Sequence, residues 1–381
     1  MITRRRFTAL LAGAPFASAA FAHAASGAIS ERQRAAVERL LRVLVDSGTV
    51  PGVSFSIGNA STTLIDGAAG LRALSPAEPM QAATRCALAS VSKQFAAAAI
   101  FLLHQRGLVS LDAPLSRYLP DYKDGRDMTL AQLLTMRAGV PADDEICEAP
   151  VNGKIDDATL IANLNRHKLD FAPGSYFSYT NCGYNVAGVV IERVSGKRYG
   201  QFIAENFFEP LGMHSSYVLG ARNDANFAQG YARENGRWQT APATRADKAF
   251  ASGNLVSTAG DIQRWDRSLF NATILSRASL HNMFEIPTRS GSAHTHYASG
   301  WFVEPSGAIW HGGTLAGYGT MNLLVPATGY AIVLLSNAGP SDKWKPADVA
   351  RELYNTAELG PPLPPLLPRT RSTAPQPRKA P

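Results

Sequence analysis

Ser90-Val91-Ser92-Lys93-Gln94-Phe95-Ala96-Ala97-Ala98-Ala99-Ile100-Phe101-Leu102-Leu103 holds the only S-x-x-K of the chain, set directly before an almost wholly apolar run. A run apolar on every side predicts a buried helix, Ser92 to Gln105, rather than an amphipathic surface one. Residues three apart share a helix face, so Lys93 stands beside the Ser90 hydroxyl at the helix N-terminus. A serine hydroxyl is a weak nucleophile until a neighbour takes its proton. A lysine can do so when desolvation or a nearby positive field, such as a helix dipole, makes its neutral form accessible. By itself the same spacing also describes a serine N-cap followed by a surface lysine.

Two further segments give that pair company. Pro173-Gly174-Ser175-Tyr176-Phe177-Ser178-Tyr179-Thr180-Asn181 reads as a turn, then a short extended piece that opens a helix. Alternate residues of an extended segment face one side, so Tyr179 and Asn181 point into one cleft. There the phenol can shuttle protons, while the amide can bind a substrate carbonyl and fix the lysine. Trp310-His311-Gly312-Gly313-Thr314 ends a strand. His311 and Gly313 share a face, and the missing side chains at Gly312 and Gly313 leave room for a substrate backbone. The backbone N–H groups of Thr314 and Ser90 are candidates for an oxyanion hole.

Outward from these motifs, periodicity predicts a helix around Val37, Leu40, Leu41, Leu44 and Val45, then a hairpin from Gly52–Ile57 to Thr62–Ile65. From Ser90 to about Asn271 helical patterns dominate, among them Asp157–Arg166, Gly183–Val194 and Asp261–Phe270. Gly300–Val303, Ile309–His311, Gly319–Val325 and Tyr330–Leu335 read as an antiparallel meander, closed by a helix from Ala347 to Ala357. The pattern predicts a sheet lobe from residues 25–85 and 296–359, bracketing a helical lobe from 86–295, with the site in the cleft between them. At 381 residues, 45% hydrophobic and 18% charged, the chain is long enough for two packed lobes.

The net charge of +7 raises the question of a nucleic-acid partner. Seven of the 37 basic residues lie at the ends: Arg4, Arg5, Arg6, Arg369, Arg371, Arg378 and Lys379. The 30 that remain face 30 acidic residues, so the body is neutral and no basic footprint is expected. Residues 1–24 carry a positive n-region, a short apolar stretch broken by Pro15, and Ala22-His23-Ala24, which together read as a cleaved export signal. Thr3-Arg4-Arg5-Arg6-Phe7 fits the twin-arginine type, with an ordinary Sec signal as the alternative. The apolar stretch is too short for a stable membrane anchor, and the expected location is periplasmic or secreted. Cys86, Cys147 and Cys182 allow at most one disulfide, and three reduced thiols suit a protein that folds before export. Residues 360–381 are proline-rich and read as a disordered tail.

No G-x-S-x-G, Walker or Rossmann glycine pattern occurs. His294-Thr295-His296 lacks the matched carboxylate of a zinc site, so neither cofactor nor metal is expected. The joint order S-x-x-K, Tyr179-Thr180-Asn181, His311-Gly312-Gly313 resembles the serine β-lactamase and penicillin-binding protein superfamily, with Y-x-N as in class C β-lactamases and H-G-G in place of K-T-G. Leu133-Leu134-Thr135, Pro210-Leu211-Gly212-Met213, Ser257-Thr258-Ala259 and Gly300-Trp301 extend the likeness over nearly the whole mature chain. Met136-Arg137-Ala138-Gly139 departs from the usual His-Thr-Ser-Gly, which bears on lobe packing alone.

The resemblance implies an α/β (α+β) fold with a five-stranded antiparallel sheet flanked by helices and an inserted all-helical lobe. It also implies an acyl-enzyme on Ser90, with Lys93 and Tyr179 as acid/base pair, Asn181 as a ligand of substrate and lysine, His311 as a substrate-carboxylate or proton-network residue, and Gly313 and Thr314 toward substrate. The expectation is an exported serine hydrolase acting on a small-molecule or peptide ester or amide. The alternatives are a β-lactamase, or a penicillin-binding module that acylates without turnover; the oligomeric state is left open.

Overall fold

The computed structural model describes residues 28–147, 157–221, 223–242, 246–285, 291–292 and 295–366. Its main sheet is antiparallel throughout. The strands lie in the spatial order Ala77–Pro79, Thr63–Leu74, Gly52–Asn59, Tyr330–Ser336, Tyr318–Val325, Ile309–Leu315, Phe302–Val303, Thr295–Tyr297, Gly291–Ser292. Five of these are long and form the expected sheet; two- and three-residue strands extend it at both edges. The helices Glu31–Asp46 and Pro346–Thr356 pack on each other and on the sheet, joined by Gln33 Nε2 donating to the Ala357 carbonyl at 2.7 Å. The helix Ala259–Asn271 also packs on the two central strands Gly52–Asn59 and Tyr330–Ser336. These strands are buried on both faces, which is why Tyr330–Leu335 is nearly all apolar instead of alternating.

Register fixes which side chains meet. Ser56, Val333, Asn322 and His311 form one cross-strand row, and Ser54, Leu335, Thr320 and Gly313 form the next. Residues directly opposite share a face, so His311 and Gly313 do lie on one side, as the strand reading requires.

The inserted region contains the expected helices at Lys93–Gln105, Asp157–Leu164, Asn181–Ser195 and Ala259–Asn271. It is not all-helical. A three-stranded sheet joins Cys86–Ala87, Leu255–Ser257 and Tyr217–Val218, and a hairpin pairs Tyr231–Glu234 with Arg237–Thr240. Strands of two to four residues are too short to show alternation. The hairpin did leave a signal in Asn235-Gly236, whose φ values of 49° and 78° are those of a tight two-residue turn.

Two other expectations are corrected. Cys147 and Cys182 form a disulfide with Cα atoms 5.4 Å apart, because the short helix Asp144–Cys147 packs on the helix Asn181–Ser195. Cys86 is the free thiol, and burial pushes its pKa up to about 12, which makes it unreactive. The segment 360–366 is docked, since the Asn355 amide bonds both the Leu363 N–H (2.8 Å) and its carbonyl (3.0 Å) and Leu363 is buried. The export signal and residues 367–381 lie outside the described residues.

A buried polar group sits beneath the Ser90 helix. Asn322 Nδ2 donates to Asp266 Oδ1 at 2.8 Å and to Gln94 Oε1 at 3.1 Å, and Trp265 Nε1 donates to the same Gln94 oxygen at 3.1 Å. Asp266 is fully enclosed, and burial pushes its carboxyl up to about 8. In the unfolded chain an aspartate titrates near ~3.9. Between those values the folded state keeps a proton that the unfolded state has lost, so this stabilisation is complete below pH ~4 and fades as pH rises toward 8. Asp266→Asn retains an acceptor for Asn322 and removes the titration. Its melting temperature should gain on the parent's from pH 5 to 8, and parallel curves for the two proteins would refute the assignment.

Candidate active site

The turn that carries Ser90 is fixed from three directions. The Leu88 N–H donates to the Leu255 carbonyl at 2.8 Å, Thr320 Oγ1 donates to the Leu88 carbonyl at 2.8 Å, and the Leu255 N–H donates to Ser92 Oγ at 3.1 Å. Ala89 is held at φ 49°, a conformation that costs an alanine about 1–2 kcal/mol and persists only where its surroundings over-determine it. Ala89–Ser92 form a single 3₁₀ turn before the helix Lys93–Gln105. Gly313 explains how close the strand Ile309–Leu315 comes to this turn. A Cβ there would lie 2.3 Å from both the Leu88 oxygen and Thr320 Oγ1. Gly313 is thus buried against the Ser90 turn and makes room for it, whereas Gly312 is more open.

Lys93 is wholly enclosed at 0% exposure. Its Nζ lies 3.1 Å from Ser90 Oγ, 2.7 Å from Asn181 Oδ1 and 2.9 Å from the Ser252 carbonyl, and 5.0 Å from the centre of the Tyr179 ring. Ser252 is held in turn by its N–H donating to Asn185 Oδ1 at 3.0 Å, so one helix supplies Asn181 directly and the carbonyl indirectly. Sequence reasoning missed Ser252 because it acts through its backbone, which leaves no residue-type signature.

Tyr179 and Asn181 flank Thr180, an extended N-cap residue with φ −140° that opens the helix Asn181–Ser195. Asn181 is the first helical residue and turns its amide to Lys93, while the disulfide at Cys182 clamps the same helix end to the helix Asp144–Cys147. The stretch Met136–Gly139 does more than pack the lobe. The Ser178 N–H donates to the Met136 carbonyl at 3.1 Å and the Gly174 N–H to the Arg137 carbonyl at 2.7 Å, so it shapes the loop that presents Tyr179.

His311 is 1% exposed and forms part of the wall rather than an open ligand. Its Nδ1 lies 2.7 Å from the Gly312 carbonyl and its Nε2 3.2 Å from the Tyr297 hydroxyl. A carbonyl oxygen only accepts, so Nδ1 carries a hydrogen. Tyr297 meets the Tyr179 ring edge-on at 5.9 Å, and Phe302 stacks nearly parallel to it at 6.3 Å. Tyr297 and Phe302, paired across strands, were not singled out by motif; an aromatic pair at strand register is the signal that marks them.

Ser90 lies where two arms of a cleft meet. The larger, about 950 Å³, runs beneath the hairpin Tyr231–Thr240 and is lined by Trp238, Arg233 and Lys343 among others. The smaller, about 360 Å³, is lined by Tyr179, Phe302, His311 and Met321. Ser90, Asn181 and Thr314 border both arms, and Thr314 is exposed. The expected site residues therefore converge, with the largely buried His311 and Gly313 in the wall of the smaller arm. Among the described residues no three His, Cys, Asp or Glu side chains converge as a metal site, and no helix is long and apolar enough to cross a membrane. His294 lies outside the described residues.

A family model described as Beta-lactamase matches residues 37–355. Among curated proteins, the chain is 28% identical over 249 residues to the putative penicillin-binding protein PbpX of Bacillus subtilis, covering 65% of this chain and 61% of that one. It is 24% identical over 324 residues to Protein flp of Staphylococcus aureus, covering 79% and 62%. The chain thus spans about three fifths of the length of these relatives. Among solved structures, the D-amino acid amidase of Ochrobactrum anthropi SV3 superposes with a TM-score of 0.75 at 25% identity, covering 86% of this chain and 99% of that one. An octameric penicillin-binding protein homologue from Pyrococcus abyssi gives 0.74 at 24% identity, covering 86% and 77%, a likeness of fold.

Proposed function

Because the chain belongs to the Beta-lactamase family, we propose that it is an exported serine hydrolase that acylates Ser90 and hydrolyses an ester or a D-amino-acid amide or peptide. The observation that carries this reading is the fully enclosed Lys93 amine, 3.1 Å from Ser90 Oγ and held by Asn181 and the Ser252 carbonyl. In its neutral form the amine takes the Ser90 proton as Oγ attacks the substrate carbonyl. The proton then passes by way of Tyr179 to the departing oxygen or nitrogen. The N–H groups of Ser90 and Thr314 supply the oxyanion donors, aimed where negative charge develops. Water, activated by the same lysine and tyrosine, then cleaves the acyl-enzyme.

Substrate charge separates this reading from a β-lactamase. Gly312 offers no side-chain donor beside the reacting centre, and the His311 imidazole is turned to Tyr297 and the Gly312 carbonyl. The smaller arm therefore lacks a fixed cation for a β-lactam carboxylate. Steady-state kcat/KM is expected to be clear for aryl esters or D-amino-acid anilides and slow or negligible for cephalosporins; the reverse order would overturn the reading. Mass spectrometry after a β-lactam and after an activated ester distinguishes turnover from a module that only acylates.

Export rests on residues 1–24. If Arg4 and Arg5 are read by the twin-arginine machinery, changing both to Lys should leave precursor in the cytoplasm. A normal periplasmic yield of the double variant would rule that route out.

A further inference from the structure

The two arms meeting at Ser90 differ in size, charge and access to Tyr179, and that asymmetry assigns the halves of the substrate. This rests on the acyl-enzyme reading above. Tyr179 lines the smaller arm and not the larger. A general acid must come within about 2.6–3.2 Å of the atom it protonates. The departing alcohol or amine therefore lies in the smaller arm, and the acyl group, bonded to the other side of the same carbonyl carbon, extends into the larger. We infer that this enzyme takes substrates with a bulky acyl half ending in an anionic group, and a compact, uncharged leaving group.

Volume and charge point the same way. The leaving-group arm holds about 360 Å³ and is walled by Phe302, Met321, Pro340, Pro346 and Ala347, with no Asp, Glu, Lys or Arg in its lining. The acyl arm holds about 950 Å³, and Arg233, Lys343 and Asp342 line it, a net positive set. Arg233 is held in place: its Nη1 donates to the Gly48 carbonyl at 2.9 Å, and its guanidinium lies 5.3 Å from the centre of the Trp238 ring. Its Nε also donates to the Gly236 carbonyl at 3.3 Å. All three partners are uncharged, and among the described residues no carboxylate pairs with this guanidinium. The guanidinium is exposed on the lining of the arm, where an anionic group of a ligand can reach it. Trp238, paired across the hairpin with Arg233, lines the same arm and offers apolar surface beside that charge, against which an acyl chain of several carbons can pack.

The test is a matrix of esters. With 4-nitrophenol as constant leaving group, kcat/KM should rise at least about tenfold from acetyl to hexanoyl, since each buried methylene is worth roughly a factor of four. A glutaryl ester should exceed its uncharged pentanoyl counterpart. With the acyl group constant, replacing 4-nitrophenol by a bulky sulfonated naphthol should lower kcat/KM. Trp238→Ala should penalise hexanoyl more than acetyl esters, and Arg233→Gln should lower the glutaryl-to-pentanoyl ratio by about threefold, the size of an exposed charge contact. A preference for small acyl and large leaving groups, or ratios that neither variant moves, would overturn the inference while Ser90 acylation by the acetyl ester still stood. Absence of any acyl adduct on Ser90 would instead remove the reading beneath it.

Discussion

Ser90→Ala is expected to abolish covalent labelling by a fluorophosphonate or penicillin probe and to lower kcat on the order of 10⁴-fold or more, while the melting curve stays close to the parent's. The fold should survive because the removed oxygen is only one of several partners of the Lys93 amine. Asn181 Oδ1 at 2.7 Å and the Ser252 carbonyl at 2.9 Å remain to satisfy it, so no buried amine is orphaned. The turn itself is pinned through Leu88, Ser92 and Thr320, none of which depends on the Ser90 hydroxyl. Undiminished labelling of a folded variant would show that another nucleophile does the chemistry.

The second large effect concerns the proton path. Lys93→Met and Tyr179→Phe should each lower acylation by about 10²–10⁴-fold, the range for loss of a positioned acid or base. Their combination should cost little more than the worse single change, because both act on one proton transfer. The two differ in what they do to stability. Phenylalanine keeps the Tyr179 ring among Tyr297 and Phe302, whereas methionine at position 93 leaves Asn181 Oδ1 and the Ser252 carbonyl without their buried donor, at about 1–3 kcal/mol each. Rates are therefore compared below the melting point of the Lys93→Met protein. Multiplying rather than overlapping losses would mean that the lysine and the tyrosine serve separate steps.

How much of this was legible in the sequence depends on what carried each feature. The long strands and helices follow from period, and the Ser90–Lys93 pair from the i, i+3 rule applied to one apolar helix. Tyr179 and Asn181 could be placed together because an extended residue separates them and both side chains matter. The Ser252 carbonyl was not readable, since any residue provides one. At Gly313 the sequence shows room for a ligand, but not that a Cβ there would lie 2.3 Å from the carbonyl oxygen of Leu88, more than 200 residues away, because no local pattern reports such a distance. His311 was found by its motif, but its burial depends on Tyr297 and on register. The Cys147–Cys182 bridge needed the packing of two helices, which three isolated cysteines do not specify. The Asn235-Gly236 hairpin is different, because its turn chemistry was local and could have been read.

The pairing of Gly52–Asn59 with Tyr330–Ser336 joins one of the first strands to be synthesised with the last. The Ser90 turn also waits for Gly313 and Thr320 before it has a wall to rest on. On the ribosome, the helical middle of the chain can begin to fold early, but the Ser90 turn lacks its Gly313 and Thr320 wall until the closing meander emerges. On the function proposed above, hydrolytic competence therefore waits for the closing meander, and a chain cut short before Ser336 is expected to be inert rather than weakly active.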